Sequence, residues 1–86
     1  MSDRVKWFEA GPDMWEGRVD GVMAYIVLPL EPSDTMPHGG AWVSRAGVRN
    51  GLRMTNIERA KDIAEMQETT DPRMLHDHGL LLSGQS

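Results

Sequence analysis

Cysteine is absent from this 86-residue chain, so neither disulfide bridges nor thiolate chemistry can contribute to its stability or function. Long apolar runs are also absent, because the longest covers residues 22–30 and a membrane span requires roughly 20 residues. Residues 1–9 mix acidic and basic side chains and lack the apolar stretch of a signal peptide. These absences predict a cytoplasmic protein without a membrane segment.

Recognisable catalytic motifs are missing as well. The serines lie in no nucleophile-elbow sequence, and the glycines form no phosphate-binding signature. His76 and His78 flank Asp77 and would share a face on a strand, but no third ligand follows at a metal-site spacing, and His38 is remote in sequence. We therefore predict a protein that is not an enzyme and that uses no metal and no cofactor.

The composition itself is that of one small folded domain, with 40% hydrophobic and 26% charged residues. Asp20-Gly21 separates two strand-like runs and predicts a hairpin, because a type I′ turn needs positive φ at both central residues. Residues 52–54 are either a short further strand or the approach to a helix. The other strands are predicted at about residues 4–9, 14–19, 22–29 and 41–46.

Thr55 and Glu58 have the spacing of a capping box, which predicts the start of a helix over about residues 56–68. Asp71 and Pro72 favour a short second helix at the start of a tail, residues 71–86. The rest of this tail is either docked by its leucines or flexible. The predicted fold is therefore an α+β domain over residues 1–70. It consists of a three- or four-stranded antiparallel sheet with one main C-terminal helix packed on one face.

The third run of strand residues is apolar on both of its faces. Simple alternation gives one face with Val22, Ala24, Ile26 and Leu28 and another with Met23, Tyr25 and Val27. A helix covers only one face of a sheet, so either this strand is covered on both sides or its outer face meets a partner. The tryptophans Trp7, Trp15 and Trp42 are likewise either core residues or, for one or two of them, an interaction platform.

Charge is distributed unevenly along the chain, whose formal net charge is -4. Residues 36–55 contain Arg45, Arg49 and Arg53 and no acidic residue, while both flanking segments are acidic. Three arginines near one sheet edge can bind phosphates or an acidic protein surface. The alternative is a solvated surface whose ion pairs contribute little stability.

Two resemblances follow from this order of elements. The stretch Arg53-Met54-Thr55-Asn56-Ile57-Glu58-Arg59-Ala60 after a three-stranded sheet resembles the amino-terminal DNA-binding arms of phage-type integrases, although those sheets are more basic. Trp15-Glu16-Gly17, Asp20-Gly21, Gly40-Ala41-Trp42 and residues 60–65 together resemble short acidic proteins encoded by phages and prophages. The first likeness implies DNA binding, and the second implies a protein of unknown function, some of whose relatives bind host proteins.

The function predicted from these patterns is that of a small non-catalytic binding protein acting through protein–protein contacts and encoded by a phage or mobile element. The alternative is a DNA-binding sheet module that uses the arginines against phosphates. A protein partner is thus expected first and a nucleic acid second, for a chain that is a monomer or a homodimer. The predicted binding residues are Tyr25, Trp42, Arg45, Arg49 and Arg53.

Overall fold

Five antiparallel strands in simple sequential order form the sheet of the computed structural model, which describes residues 4–48 and 50–82. Two helices follow the strands in the described part of the chain. The α+β class, the antiparallel sheet, the packed C-terminal helix and the short second helix are confirmed, but the predicted number of three or four strands is wrong. The elements are β1 (Val5–Gly11), β2 (Met14–Val19), β3 (Val22–Leu30), β4 (Gly40–Arg45), β5 (Gly51–Met54), α1 (Ile57–Thr69) and α2 (Pro72–Asp77).

Tight turns join the first three strands. Asp20 and Gly21 both have positive φ, 53° and 83°, as the type I′ turn between β2 and β3 requires. Asp13 has φ 58° in the turn between β1 and β2, and Gly11 pairs with Met14, so β1 continues two residues beyond its predicted end.

The additional strand is β5, which pairs with β4. Leu52 lies opposite the buried Val43, and Met54 lies opposite the buried Ala41. Leu52 and Met54 therefore pack against the core. Of the two alternatives for residues 52–54, the strand is the one the structure adopts, because it extends the apolar surface on which α1 lies.

Helix α1 begins one residue later than the predicted capping box requires. The side chain of Asn56, not Thr55, accepts a hydrogen bond from the backbone N–H of Arg59, at 2.8 Å. Asn56 has an extended backbone, which is typical of an N-cap residue, and asparagine caps helices at least as well as threonine. The helix buries the apolar side predicted for it, with Ala60, Ile63 and Ala64 facing the sheet.

The segment after α1 packs back onto that helix. Asp71 caps α2 by accepting from the N–H of Arg73, at 2.9 Å, and Leu75 is buried. Farther along, the Gln67 side chain donates to the Leu80 carbonyl at 2.7 Å and accepts from the Leu82 N–H at 3.0 Å. Leu82 thereby enters the main core cluster, so the chain up to this residue shares one core with the sheet.

A β-bulge in β3 changes the predicted assignment of its two faces. Gly17 pairs with Tyr25 while the next residue, Arg18, pairs with Met23, so Ala24 has no direct partner on β2. Residues directly opposite each other share a face, and Arg18 also lies opposite Lys6. Simple alternation grouped Met23 with Tyr25, but the bulge places these two side chains on opposite faces.

Candidate binding surface

The face of the sheet that α1 covers contains two of the three tryptophans. The Trp7 indole N–H donates to a carboxylate oxygen of Glu65 at 3.2 Å. The Lys61 ammonium lies 3.3 Å from the centroid of the Trp15 ring and 5.6 Å from that of Trp7. Both rings pack against the core cluster, so Trp7 and Trp15 have structural roles.

Tyr25 is also on the covered face, where its side chain is 0% exposed. Its hydroxyl donates to the Glu68 carboxylate, whose other oxygen lies 3.5 Å from the Arg4 guanidinium. Burial, together with the hydrogen bond to Glu68, raises the pKa of Tyr25 to about 12. The buried side chain connects β3 to the end of α1, and a binding role for Tyr25 stays a prediction.

Two of the three predicted arginines, Arg45 and Arg53, lie on opposite faces of the sheet. Arg45 lies opposite Tyr25, with its guanidinium 5.8 Å from the Tyr25 ring centroid, so it is at the margin of the covered face. Arg53 lies opposite Trp42, three residues before Arg45 on β4, and therefore projects from the other face. Arg49 lies outside the described residues.

The face away from α1 is termed the open face below. Its membership follows from the cross-strand register, because directly paired residues lie on the same face of a sheet. Helix α1 packs on the other face, and α2 packs against α1. The open face comprises Lys6, Phe8, Met14, Glu16, Arg18, Met23, Ile26, Leu28, Trp42, Ser44 and Arg53.

The Trp42 ring lies close to Gly51 on the edge strand β5. A Cβ atom on Gly51 would lie 2.6 Å from Cε2 and 2.7 Å from Cζ2 of the indole, so the ring needs a glycine beneath it. Leu28 is the cross-strand partner of Trp42 on one side, and Arg53 is its partner on the other. The ring is half-buried by these neighbours, and its outer surface faces solvent.

The apolar part of the open face has a centre and a rim. Ile26 and Leu28 on the central strand are half-buried beside Trp42. Around them, Phe8, Met23 and Met14 are 49%, 44% and 37% exposed, and all three rank among the exposed large hydrophobic residues of the described chain. Contiguous exposed apolar side chains with a polar rim are typical of interaction sites. Methionine adds adaptability, since its side chain fits surfaces of different shape.

Charged side chains border this apolar patch in two different ways. Arg18 is engaged within the face: it forms an ion pair with Glu16 at 2.8 Å, and its guanidinium lies 4.9 Å from the centroid of the Phe8 ring. Lys6 and Arg53 are exposed, and neither forms an ion pair within residues 4–48 and 50–82. Three cations against one carboxylate give the open face a local net charge of +2.

The histidines of the described residues form no metal-binding cluster. Within the described residues, no group of three or more His, Cys, Asp or Glu side chains is placed to hold a metal ion. The His76 imidazole lies 3.9 Å from the Asp77 carboxylate, and both side chains are 79% exposed. His38 lines a separate, polar cleft with Asp13, Thr55 and Asn56 at the start of α1.

The sequence pattern identified the apolar outer face of β3 but missed the contribution of β1. In the run Val5-Lys6-Trp7-Phe8, alternation places Trp7 under α1 and leaves Phe8 on the open face. That alternation was the available signal. Deciding which of the two aromatic side chains is exposed required knowing the side on which α1 packs.

Comparison with known proteins gives no match to a family model, to a curated protein or to a solved structure. The likeness to phage-type proteins and integrase arms therefore stays a prediction. Neither α1 nor α2, the helices of the described chain, has the length and apolar character needed to cross a membrane.

Proposed function

We propose that this protein is a non-catalytic binding protein that docks onto a partner protein through the open face. The observation that supports this most directly is the position of Trp42. Its ring lies beside Ile26 and Leu28, on a sheet surface where neither helix packs, and it is still accessible to solvent. Tryptophan is among the residues most enriched at the energetic centres of protein interfaces.

The chemistry of the open face is suited to recognition. Its centre is aliphatic and aromatic, its rim is adaptable because of Met14 and Met23, and its only carboxylate, Glu16, is already paired with Arg18. Binding to a surface of this kind is favoured because it removes apolar area from water, which contributes roughly 25 cal/mol per Å² before the costs of association are subtracted.

A second candidate function is nucleic-acid binding by the same face. The observation that favours it is the presence of Lys6, Arg18 and Arg53 beside the aromatic rings of Phe8 and Trp42. Stacking platforms with adjacent cations bind single-stranded nucleic acid. The paired state of Arg18 and the chain's net charge of -4 favour the protein partner over this alternative.

Site-specific photo-crosslinking in the cells that express the protein tests the docking proposal. A benzoylphenylalanine replaces Phe8 on the open face and, as a matched control, the exposed Arg59 on the outer side of α1. We expect discrete protein adducts from position 8 that disappear in the Trp42→Ala background. They should persist in the Met74→Ala background. Met74 is also a large apolar residue and is 55% exposed, but it lies on α2, away from the open face.

Adducts that form equally from both positions, or that survive Trp42→Ala, would contradict docking through the open face. Circular dichroism of each variant verifies that the α+β fold is retained. Nuclease treatment before analysis distinguishes the second candidate, because adducts that consist of nucleic acid would be degraded.

A further inference from the structure

We propose that the docking segment of the partner is an acidic amphipathic helix that crosses the open face diagonally. This inference rests on the proposed function and adds the chemistry of the partner. Two of the three cations on the open face, Lys6 and Arg53, form no ion pair within the described residues, and they lie on the two edge strands, β1 and β5. They mark the ends of a path whose middle is formed by Ile26, Leu28 and Trp42.

The dimensions of this path suit a helix. Four strand spacings separate β1 from β5, which is about 19 Å at 4.8 Å per spacing. Lys6 lies opposite Arg18 on β2, and Arg53 lies in the row of Leu28, which is level with Met14 on β2. Four residues of β2 separate these two rows, which is an offset of about 13 Å along the strands. The resulting diagonal of about 23 Å corresponds to about 16 residues of α-helix at 1.5 Å per residue.

Helix α1 shows how this sheet already binds a helix on its covered face. Small and aliphatic residues of α1, such as Ala60 and Ile63, contact the strands. Two carboxylates of the same helix accept hydrogen bonds from aromatic side chains of the sheet. Glu65 accepts from Trp7, and Glu68 accepts from Tyr25. A second helix on the open face would bury the apolar side chains that α1 leaves uncovered.

Charge favours an acidic protein segment over other occupants of the face. The open face has a net charge of +2 in a chain of -4, so the remaining residues together carry -6. A short segment with acidic residues at its two ends meets Lys6 and Arg53 while its apolar side covers Trp42. A long polyanion would be repelled by the acidic residues outside the open face. A basic or neutral segment would form no ion pair with Lys6 or Arg53.

Selection from a display library of random peptides of about 16 residues, with the full chain as target, tests this inference. We expect enriched sequences with Asp or Glu near both ends and apolar residues at helical i, i+3 and i+4 spacing. The combined variant Lys6→Glu and Arg53→Glu should weaken binding of the enriched peptides about tenfold at low salt, and high salt should reduce that difference. Arg59→Glu with Arg73→Glu changes the net charge equally at exposed positions of the helices and should leave affinity unchanged.

The outcomes separate the two proposals. Enriched peptides that are neutral or basic but still require Trp42 would overturn the acidic partner while supporting docking through the open face. Failure to enrich any peptide that depends on Trp42 would overturn both. Tighter binding of single-stranded oligothymidylate than of the enriched peptides, or a dimer in sedimentation that Ile26→Asp abolishes, would assign the face to a nucleic acid or to a second copy and overturn the acidic helix.

Discussion

Replacement of Tyr25 by phenylalanine tests the assignment of this side chain to the core. The substitution removes the hydroxyl and keeps the ring, so the packing of β3 against α1 is retained. Glu68, whose side chain is only 14% exposed, then loses the hydrogen bond that the Tyr25 hydroxyl donates. Because hydrogen bonds to charged groups contribute about 1.5–3 kcal/mol, we expect the free energy of unfolding to fall by that amount near neutral pH.

The pH dependence makes this prediction specific. The pKa of Tyr25 rises from 10.0 to about 12 on folding, so the folded state favours the protonated hydroxyl. The resulting stabilisation is complete below about pH 10 and is lost as the pH rises through about 12. A shift of this size corresponds to about 3 kcal/mol in total, about half of which is lost by pH 11. The phenylalanine variant lacks this contribution.

Urea unfolding followed by circular dichroism at about pH 8, 10 and 11 measures the effect. The difference in the free energy of unfolding between the wild-type protein and Tyr25→Phe should be largest at pH 8 and should shrink by about 1 kcal/mol at pH 11. Lysine titration occurs in both proteins and cancels in the difference. A difference that stays constant from pH 8 to pH 11 would refute the reasoning, because it would mean that the Tyr25 hydroxyl is equally solvated in the folded and unfolded states.

Three further substitutions test the packing that positions the open face. Gly17→Ala places a Cβ 2.8 Å from the Trp7 ring and should reduce the free energy of unfolding by about 1–3 kcal/mol in urea titrations. Asn56→Ala should reduce the free energy of unfolding, measured by thermal denaturation, by about 1 kcal/mol because the helix cap is lost. The matched Thr55→Ala should change it by less than about 0.5 kcal/mol. Gln67→Ala removes the side-chain hydrogen bonds to the segment after α2, and amide hydrogen exchange in that segment should accelerate.

Local signals in the sequence predicted the local structure well. The Asp20-Gly21 turn is specified by backbone conformations that few other residue pairs tolerate, so the β2–β3 hairpin follows from two adjacent residues. The amphipathic pattern of α1 similarly identifies its buried side. The predicted cap, Thr55, differs from the observed cap, Asn56, by one residue, because both residue types are good N-caps and the spacing to Glu58 favoured threonine.

The composition of the candidate surface could not be read from the sequence in the same way. Both faces of β3 are apolar, so alternation alone does not show which of Tyr25 and Ile26 is buried. The bulge at Ala24 then reverses the face of the residues before it, and no residue type signals that bulge. Tyr25 resembled a surface residue because of its hydroxyl, but Glu68, which satisfies that hydroxyl, is 43 positions away in the chain.

The two faces of the sheet also differ in how completely their polar groups are satisfied, and this difference separates folding from binding. On the covered face, Glu65, Glu68 and Lys61 each contact an aromatic residue of the strands, so substitutions there disturb the fold. On the open face, Trp42 is half-buried over Gly51, so its contribution to folding is a fraction of what complete burial would give. Substitution of Trp42 should therefore remove binding at a small cost in stability, which is the combination expected of an interface residue.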